Sequence, residues 1–163
     1  MKNPQTLAEE LYSQFPNEKL RNIKDFGCCA FTLLWCLGIE PDDAKAIMTL
    51  GQLIDSKAIE EDCTVIWAKA CQYLTGRNLT VEFKNITSIK DIKKRTPVKY
   101  ERIDENGKKH AHWVGVENGK IGFNSLKTSL CVNKGKPVTA RILTISGGYY
   151  WQKKKEYTQS RHL

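Results

Sequence analysis

Two adjacent cysteines, Cys28 and Cys29, follow Gly27 and open the most apolar stretch of the chain. A cysteine attacks as its thiolate, and the partial positive charge at a helix N-terminus lowers the pKa of a thiol placed there. The first backbone N–H groups of a helix also lack helical partners and can donate to an oxyanion. The sequence therefore predicts Cys28 as a nucleophile at a helix start, with a buried packing role as the alternative interpretation.

A cysteine nucleophile needs a base, and the segment His-Trp-Val-Gly-Val over residues 112–116 can supply it. Its apolar residues indicate a buried strand that would hold the His112 ring rigidly. A histidine base also needs a hydrogen-bonding partner that fixes its tautomer. The Asn-Gly pair at 118–119 is typical of a hairpin turn, and the returning strand carries Asn124. Asn124 is therefore the candidate partner of His112.

The register of this hairpin decides which residue meets His112. If residues 117–119 form a three-residue loop, Asn124 lies opposite His112 on the same face. If residues 118–119 form a two-residue loop, Ser125 takes that place and Asn124 points away. A type I turn followed by glycine is the common three-residue form, so we expect the first register, with positive φ at the glycine.

The order of these residues resembles that of the papain-like cysteine peptidases, and in particular the C39-like branch of bacterial and phage proteins. In that branch Gly-Cys opens an apolar helix, His-aromatic-Val-x-Val follows, and Asp or Asn ends the paired strand. The matching residues are Gly27-Cys28, residues 112–116 and Asn124, and the resemblance covers roughly residues 20–130. It implies a papain-like fold, a thiol peptidase or amide hydrolase, a peptide or amide substrate, and no cofactor or metal.

The chain departs from the family pattern at two positions. The family has a Gln six positions before the cysteine that donates to the oxyanion, and here Asn22 stands there with a shorter side chain. Cys29 is a rival nucleophile, but consecutive helical residues point about 100° apart, so only one thiol can face His112. The position at the helix start favours Cys28. The resemblance thus implies a catalytic set of Cys28, His112, Asn124 and Asn22.

The elements that must position these residues change type halfway along the chain. Apolar spacing predicts helices over residues 6–14, 28–37, 41–53 and 62–74, of which the second is hydrophobic on all sides and belongs in the middle of a core. Alternating residues then predict strands over 79–83, 98–103, 110–116, 121–126 and 139–145, with a short helix over 88–94. Helices followed by an antiparallel sheet predict an α+β domain in which the cysteine helix packs on the sheet. We expect one domain over residues 1–148 and a basic C-terminal tail over 149–163.

The remaining cysteines and acidic residues do not form a metal-site pattern. The six cysteines include no Cys-x-x-Cys pair, and the chain has three histidines. This spacing does not favour a zinc site or a disulfide framework. We expect buried thiols at Cys36, Cys63 and Cys71, and ordinary helix-start and loop charges in the acidic groups at 42–43 and 60–62.

Charge is distributed unevenly. Residues 1–83 carry 8 basic and 12 acidic side chains, whereas residues 84–163 carry 18 and 6, and the whole chain has a net charge of +8. A basic half can attract nucleic acid or an acidic partner. Its lysines are scattered along predicted strands without interleaved aromatic residues, which favours a solvated sheet face over a nucleic-acid site. No apolar run approaches the ~20 residues of a membrane span, and residues 1–10 are unlike a secretory signal. We therefore expect a cytoplasmic protein without a membrane partner.

Two functions from different classes follow from these residues. The first is a cysteine hydrolase that uses a Cys-His-Asn triad, and the complete triad favours it. The second is a catalytically inactive papain-like binding module that docks a partner through its basic sheet half, which the Asn22 substitution and the small size favour. Thiol labelling at about pH 6 separates the two, because only a thiol activated by a histidine reacts readily there.

Overall fold

The computed structural model of the protein describes residues 1–146. The predicted tail over 149–163 lies outside the described residues. The helices are α1 (Pro4–Gln14), α2 (Glu18–Phe26), α3 (Cys28–Cys36), α4 (Asp43–Asp55), α5 (Trp67–Thr75) and α6 (Leu130–Lys134). The strands are β1 (Asn78–Asn85), β2 (Thr96–Ile103), β3 (Lys109–Glu117), β4 (Lys120–Phe123) and β5 (Lys136–Ser146). Helices come first and the sheet follows, so the predicted α+β class is confirmed.

The central helix is α3, in which every residue from Ala30 to Trp35 is buried. It follows α2 after a single residue, Gly27. A side chain at Gly27 would put a Cβ 2.5 Å from the Ile23 carbonyl oxygen, so only glycine fits this junction. The all-round apolar pattern and the glycine before it therefore predicted this element correctly.

Local hydrogen bonds explain where two other helices begin and end. The Asp42 carboxylate accepts the Lys45 N–H at 2.9 Å and caps α4, close to the predicted start. Gly76 ends α5 with a left-handed φ of 67°, as expected of a glycine stop. The start of α5 at residue 62 was wrong, because the Asp62 carboxylate accepts the Thr64 N–H and forms a turn instead.

Two helices were missed and one was predicted wrongly. The side chain of Asn17 caps α2 by accepting the Leu20 N–H at 2.9 Å, but Ile23 is the one buried residue of that helix, so its apolar pattern is weak. Ser129 caps the short α6. Residues 88–94 form turns rather than a helix, and the isoleucines of this region pack against the sheet.

The sheet is antiparallel and has the order β1-β5-β2-β3-β4, so β5, the last of these five strands along the sequence, lies inside it. One face packs on the helices through Phe123 and Trp35, whose rings stack with centroids 6.1 Å apart. The opposite face buries a second cluster with α6 and the nearby isoleucines, made of Val98, Tyr100, Val114, Val116, Cys131 and Ala140. Within residues 1–146, no helix has the length and apolar character that crossing a bilayer requires.

The β3–β4 hairpin has the two-residue turn, so the expected three-residue loop is wrong. Asn118 and Gly119 both have positive φ, 52° and 72°, and Glu117 pairs with Lys120. Their N–H groups donate to the carbonyls of residues 93 and 92, at 3.2 and 2.8 Å. These hydrogen bonds to a distant segment stabilise the two-residue turn, whereas the local sequence favoured a three-residue loop.

Candidate active site

The first residue of α3 lies against β3, beyond the point where the neighbouring strand β4 ends. β4 ends at Phe123, so among residues 1–146 no strand lies beside the outer edge of β3 near Trp113. The Trp113 backbone instead faces α3: its carbonyl accepts the Thr32 hydroxyl at 3.4 Å, and its N–H is a hydrogen-bond donor to the Cys28 thiol. Cys28 and Thr32 are one helical turn apart. The thiol therefore lies beside the residue that directly follows His112.

Backbone donors distinguish Cys28 from its neighbour. Burial raises the pKa of Cys28, and three N–H groups oppose this increase, those of Trp113, Cys29 and Cys28 itself. Burial raises the pKa of Cys29 well above its usual value, and the charge of Cys28 raises it further. Hydrogen bonds to a thiolate stabilise the charged form, so the geometry favours Cys28 as the nucleophile.

The tautomer of His112 is determined by its partner. His112 Nε2 lies 2.7 Å from Asn124 Oδ1, and the Leu126 N–H donates to the same atom at 3.1 Å. A backbone N–H cannot donate to the NH₂ group of an amide, which is itself a donor, so the oxygen of the Asn124 amide faces both groups. Nε2 must then carry the hydrogen, which leaves Nδ1 as the free acceptor of the neutral ring. Burial lowers the pKa of His112, and the Asn124 bond opposes that shift.

The expected contact between His112 and Asn124 is thus present, although the register behind it was wrong. Pairing shifts between Val116 and Gly115, which leaves Gly122 as an extra residue in a bulge. A Cβ at Gly122 would lie 2.8 Å from Cζ2 of Trp35, so the bulge presses against that ring. Asn124 follows the end of β4 and is free to turn its side chain back toward His112.

The N-terminus of α1 holds the segment that carries Asn124. Asn3 Nδ2 donates to the Asn124 carbonyl at 3.0 Å. The Ser125 carbonyl accepts the Gln5 N–H at 2.9 Å, and the buried Ser125 hydroxyl donates to Gln5 Oε1 at 2.7 Å. Sequence reasoning missed these supporting residues, because no local pattern connects positions about 120 residues apart.

A cavity of about 370 Å³ opens on the Cys28 thiol. Two tryptophans on its wall, Trp67 and Trp113, meet edge to face at 6.2 Å, and the half-exposed Phe26 also lines it. The other lining residues are Asp25, Cys29, Asp62, Cys63, Thr64, Val65, Ala111 and Arg141. A small molecule or a peptide side chain can therefore reach the thiol.

Asn22 is not among the residues that line this cavity. Its side-chain amide donates to the Glu61 carbonyl at 3.1 Å and lines a separate cavity of about 310 Å³. The structure brings His112 and Asn124 together, although neither lines the cavity that opens on Cys28, and it directs the Asn22 amide elsewhere. The oxyanion role of Asn22 stays a prediction.

Two features of the site were missed from the sequence, the Trp113 N–H beside the thiol and the Arg141 side chain in the cavity. Neither has a local signal, because each comes from packing between distant segments. Over residues 1–146, no three Cys, His, Asp or Glu side chains are grouped so that they could hold a metal ion.

Comparison of the chain with protein-family models gives no match, and neither the curated proteins nor the solved structures contain a match.

Proposed function

We propose that the protein is a papain-like cysteine hydrolase that cleaves a peptide or amide bond. Cys28 is the nucleophile, His112 is the base and then the acid, and Asn124 orients His112. The observation that supports this most directly is the pair of hydrogen bonds on Asn124 Oδ1, which leaves His112 Nδ1 without a hydrogen. The Cys28 thiol lies against the adjacent residue, Trp113.

The resting pair is neutral, because burial raises the pKa of Cys28 and lowers that of His112. As the sulfur attacks the carbonyl carbon, its proton passes to Nδ1 and the carbonyl electrons move to oxygen. When the carbonyl reforms, the C–N bond breaks and the leaving amine takes the proton from His112. Water then attacks the thioester and gives a proton to Nδ1, and Cys28 leaves with that proton as a thiol.

The developing oxyanion needs donors beside the thiol. The N–H groups of Cys28 and Cys29 start α3 and are within reach of the sulfur, so they are the candidates for this role. Asn22 can join them only after its bond to Glu61 breaks. That bond is the observation that favours the second function, an inactive module that binds a partner through its basic sheet half.

Labelling of Cys28 by iodoacetamide at about pH 6, read by mass spectrometry of the modified peptide, tests the proposal. Burial lowers the pKa of His112, so more of it is neutral at about pH 6 than of an ordinary histidine, and the neutral ring can take the thiol proton during attack. In His112→Ala the thiol reacts alone with a raised pKa, and labelling should slow by about 100-fold. Cys36 of the same helix is the internal control, since burial raises its pKa and it should stay unlabelled.

Equal labelling rates for the unmodified protein and His112→Ala at that pH would contradict the hydrolase proposal. The binding module would then be the better explanation. Recovery of labelling in His112→Ala at high pH shows that the variant is folded with its thiol accessible.

A further inference from the structure

Arg141 of β5 lines the cavity that opens on Cys28. Its guanidinium carbon lies 4.0 Å from the centre of the Phe83 ring and 5.0 Å from that of Trp113. Phe83 is its direct cross-strand neighbour on β1, and Trp113 is the residue whose N–H faces the Cys28 thiol. The two rings therefore hold a planar cation next to the proposed nucleophile.

Within the described part of the chain, residues 1–146, this cation has no acceptor of its own. Among residues 1–146, Arg141 forms no ion pair and donates no hydrogen bond, and its Nε is fully covered. The two carboxylates of the same cavity are engaged elsewhere: Asp62 accepts the Thr64 N–H, and Asp25 pairs with Lys24. Burial lowers the pKa of Arg141, so the unpaired charge is costly where it stands.

We propose that Arg141 binds a carboxylate of the substrate next to the bond that Cys28 attacks. This inference rests on the proposed function, because it places the substrate over the thiol. A guanidinium presents a fork of N–H donors that matches a carboxylate, and the flanking rings fix its plane before the ligand arrives. The substrate class is a peptide or amide with a carboxylate near the cleaved bond, on an acidic side chain or at a chain end.

Alkylation of Cys28 by iodoacetate and by iodoacetamide tests this site without requiring hydrolysis. Both reagents react in the same way: the sulfur forms a C–S bond to the CH₂ carbon, and the C–I bond breaks as iodide leaves. We expect the ratio of the iodoacetate rate to the iodoacetamide rate to fall about tenfold in Arg141→Gln, since a charge-assisted interaction is lost. Arg21→Gln, at an exposed arginine of α2 outside the cavity, is the matched control and should keep the ratio.

Protection of Cys28 in the unmodified protein gives a second measurement that requires no variant to fold. N-acetylglutamic acid α-amide carries its carboxylate on the side chain, and N-acetylglutamine carries it at the chain end. N-acetylglutamine amide has no carboxylate. We expect a charged compound to slow iodoacetamide labelling and the neutral one to have no effect, and the compound that protects identifies the source of the carboxylate.

Two results would overturn the site: an unchanged ratio in Arg141→Gln, whether or not both reagents slow equally, or no protection by either charged compound. Each of these leaves His112-dependent labelling at about pH 6 intact, so the proposed hydrolase would stand. Loss of that dependence with the ratio change preserved would instead contradict the hydrolase and leave an anion-binding pocket.

Discussion

The two ends of α3 each have an arginine stacked on a tryptophan, and they differ in what surrounds the cation. At the C-terminal end, Arg95 lies 4.2 Å from the Trp35 ring and donates to the Trp35 carbonyl at 2.8 Å. It also pairs with Glu40 at 3.2 Å and Glu117 at 3.6 Å. At the N-terminal end, Arg141 has the rings without an acceptor from residues 1–146. At the C-terminal end the protein itself supplies the acceptors of the arginine, whereas the N-terminal end has room for the charge of a ligand.

The thiols of Cys36 and Cys28, at the two ends of the same helix, also differ in the groups that surround them. Burial raises the pKa of Cys36 at the C-terminal end, with Arg95 partly opposing that shift. Cys28 at the N-terminal end is also buried enough for its pKa to rise, but three backbone N–H groups can stabilise its thiolate. Burial alone makes an inert thiol, and the same burial with converging donors makes a candidate nucleophile.

The largest expected effect separates these two cysteines. Cys28→Ala should abolish amide hydrolysis and labelling at about pH 6, because no other group there can form the acyl intermediate. The fold should survive with a loss of about 1–2 kcal/mol in the free energy of unfolding. Cys36→Ala should have a similar stability cost and keep labelling. If Cys29→Ala removes labelling while Cys28→Ala does not, the nucleophile is one residue further along.

A second prediction concerns the tight packing at the C-terminal end. A Cβ at Gly115 would lie 2.4 Å from Cε3 of Trp35. We expect Gly115→Ala to lower the free energy of unfolding by about 3 kcal/mol, measured by chemical denaturation. Gly51→Ala is the control, since its Cβ would meet only the flexible Lys19 side chain at 3.7 Å inside a helix. Equal effects of the two changes would show that Trp35 can move aside.

The third prediction compares the two arginines directly. Arg95→Gln removes a stacked cation with its three acceptors and should cost about 2 kcal/mol of unfolding free energy. Arg141→Gln removes a stacked cation that has no acceptor among residues 1–146 and should change that energy by less than about 0.5 kcal/mol. Denaturant unfolding of both variants checks this. A large loss for Arg141→Gln would mean that the ring contacts stabilise the fold and that the cation is structural.

The smallest expected effect is a pH dependence from His112. Its folded pKa is lowered below the unfolded value, so its contribution to stability is present above about pH 6.5 and is lost as the pH falls toward the folded pKa. We expect a lower free energy of unfolding at about pH 5 than at about pH 7, and less of this dependence in His112→Gln. The contribution of Asp104 to stability is lost at lower pH, because its bond to His110 lowers its pKa to about 2. If the unfolding free energy of His112→Gln depended on pH as strongly as that of the unmodified protein, the assignment of this dependence to His112 would be wrong.

The sequence predicted those parts of the fold and site that depend on neighbouring residues. The all-round apolar helix and its glycine junction follow from local patterns and are present. The contact of His112 with Asn124 is also present, but it depends on the bulge at Gly122 and not on the predicted register. The hairpin register was wrong because its turn is held by the backbone of residues 92–93. Arg141 was missed because its neighbours Phe83 and Trp113 come from two other strands, and no short pattern relates those positions.

The place of β5 inside the sheet sets the order in which the protein can assemble during synthesis. β2, β3 and β4 can pair through short turns soon after they leave the ribosome, whereas β1 must wait for β5, its partner in the sheet. Pairing between such distant segments is slow compared with hairpin formation. Arg141 reaches the cavity only with β5, so a nascent chain that ends before residue 136 already holds Cys28 and His112 but lacks the cation. If Arg141 binds a carboxylate as proposed, recognition of that acidic group is acquired later in synthesis than the segments that carry Cys28 and His112.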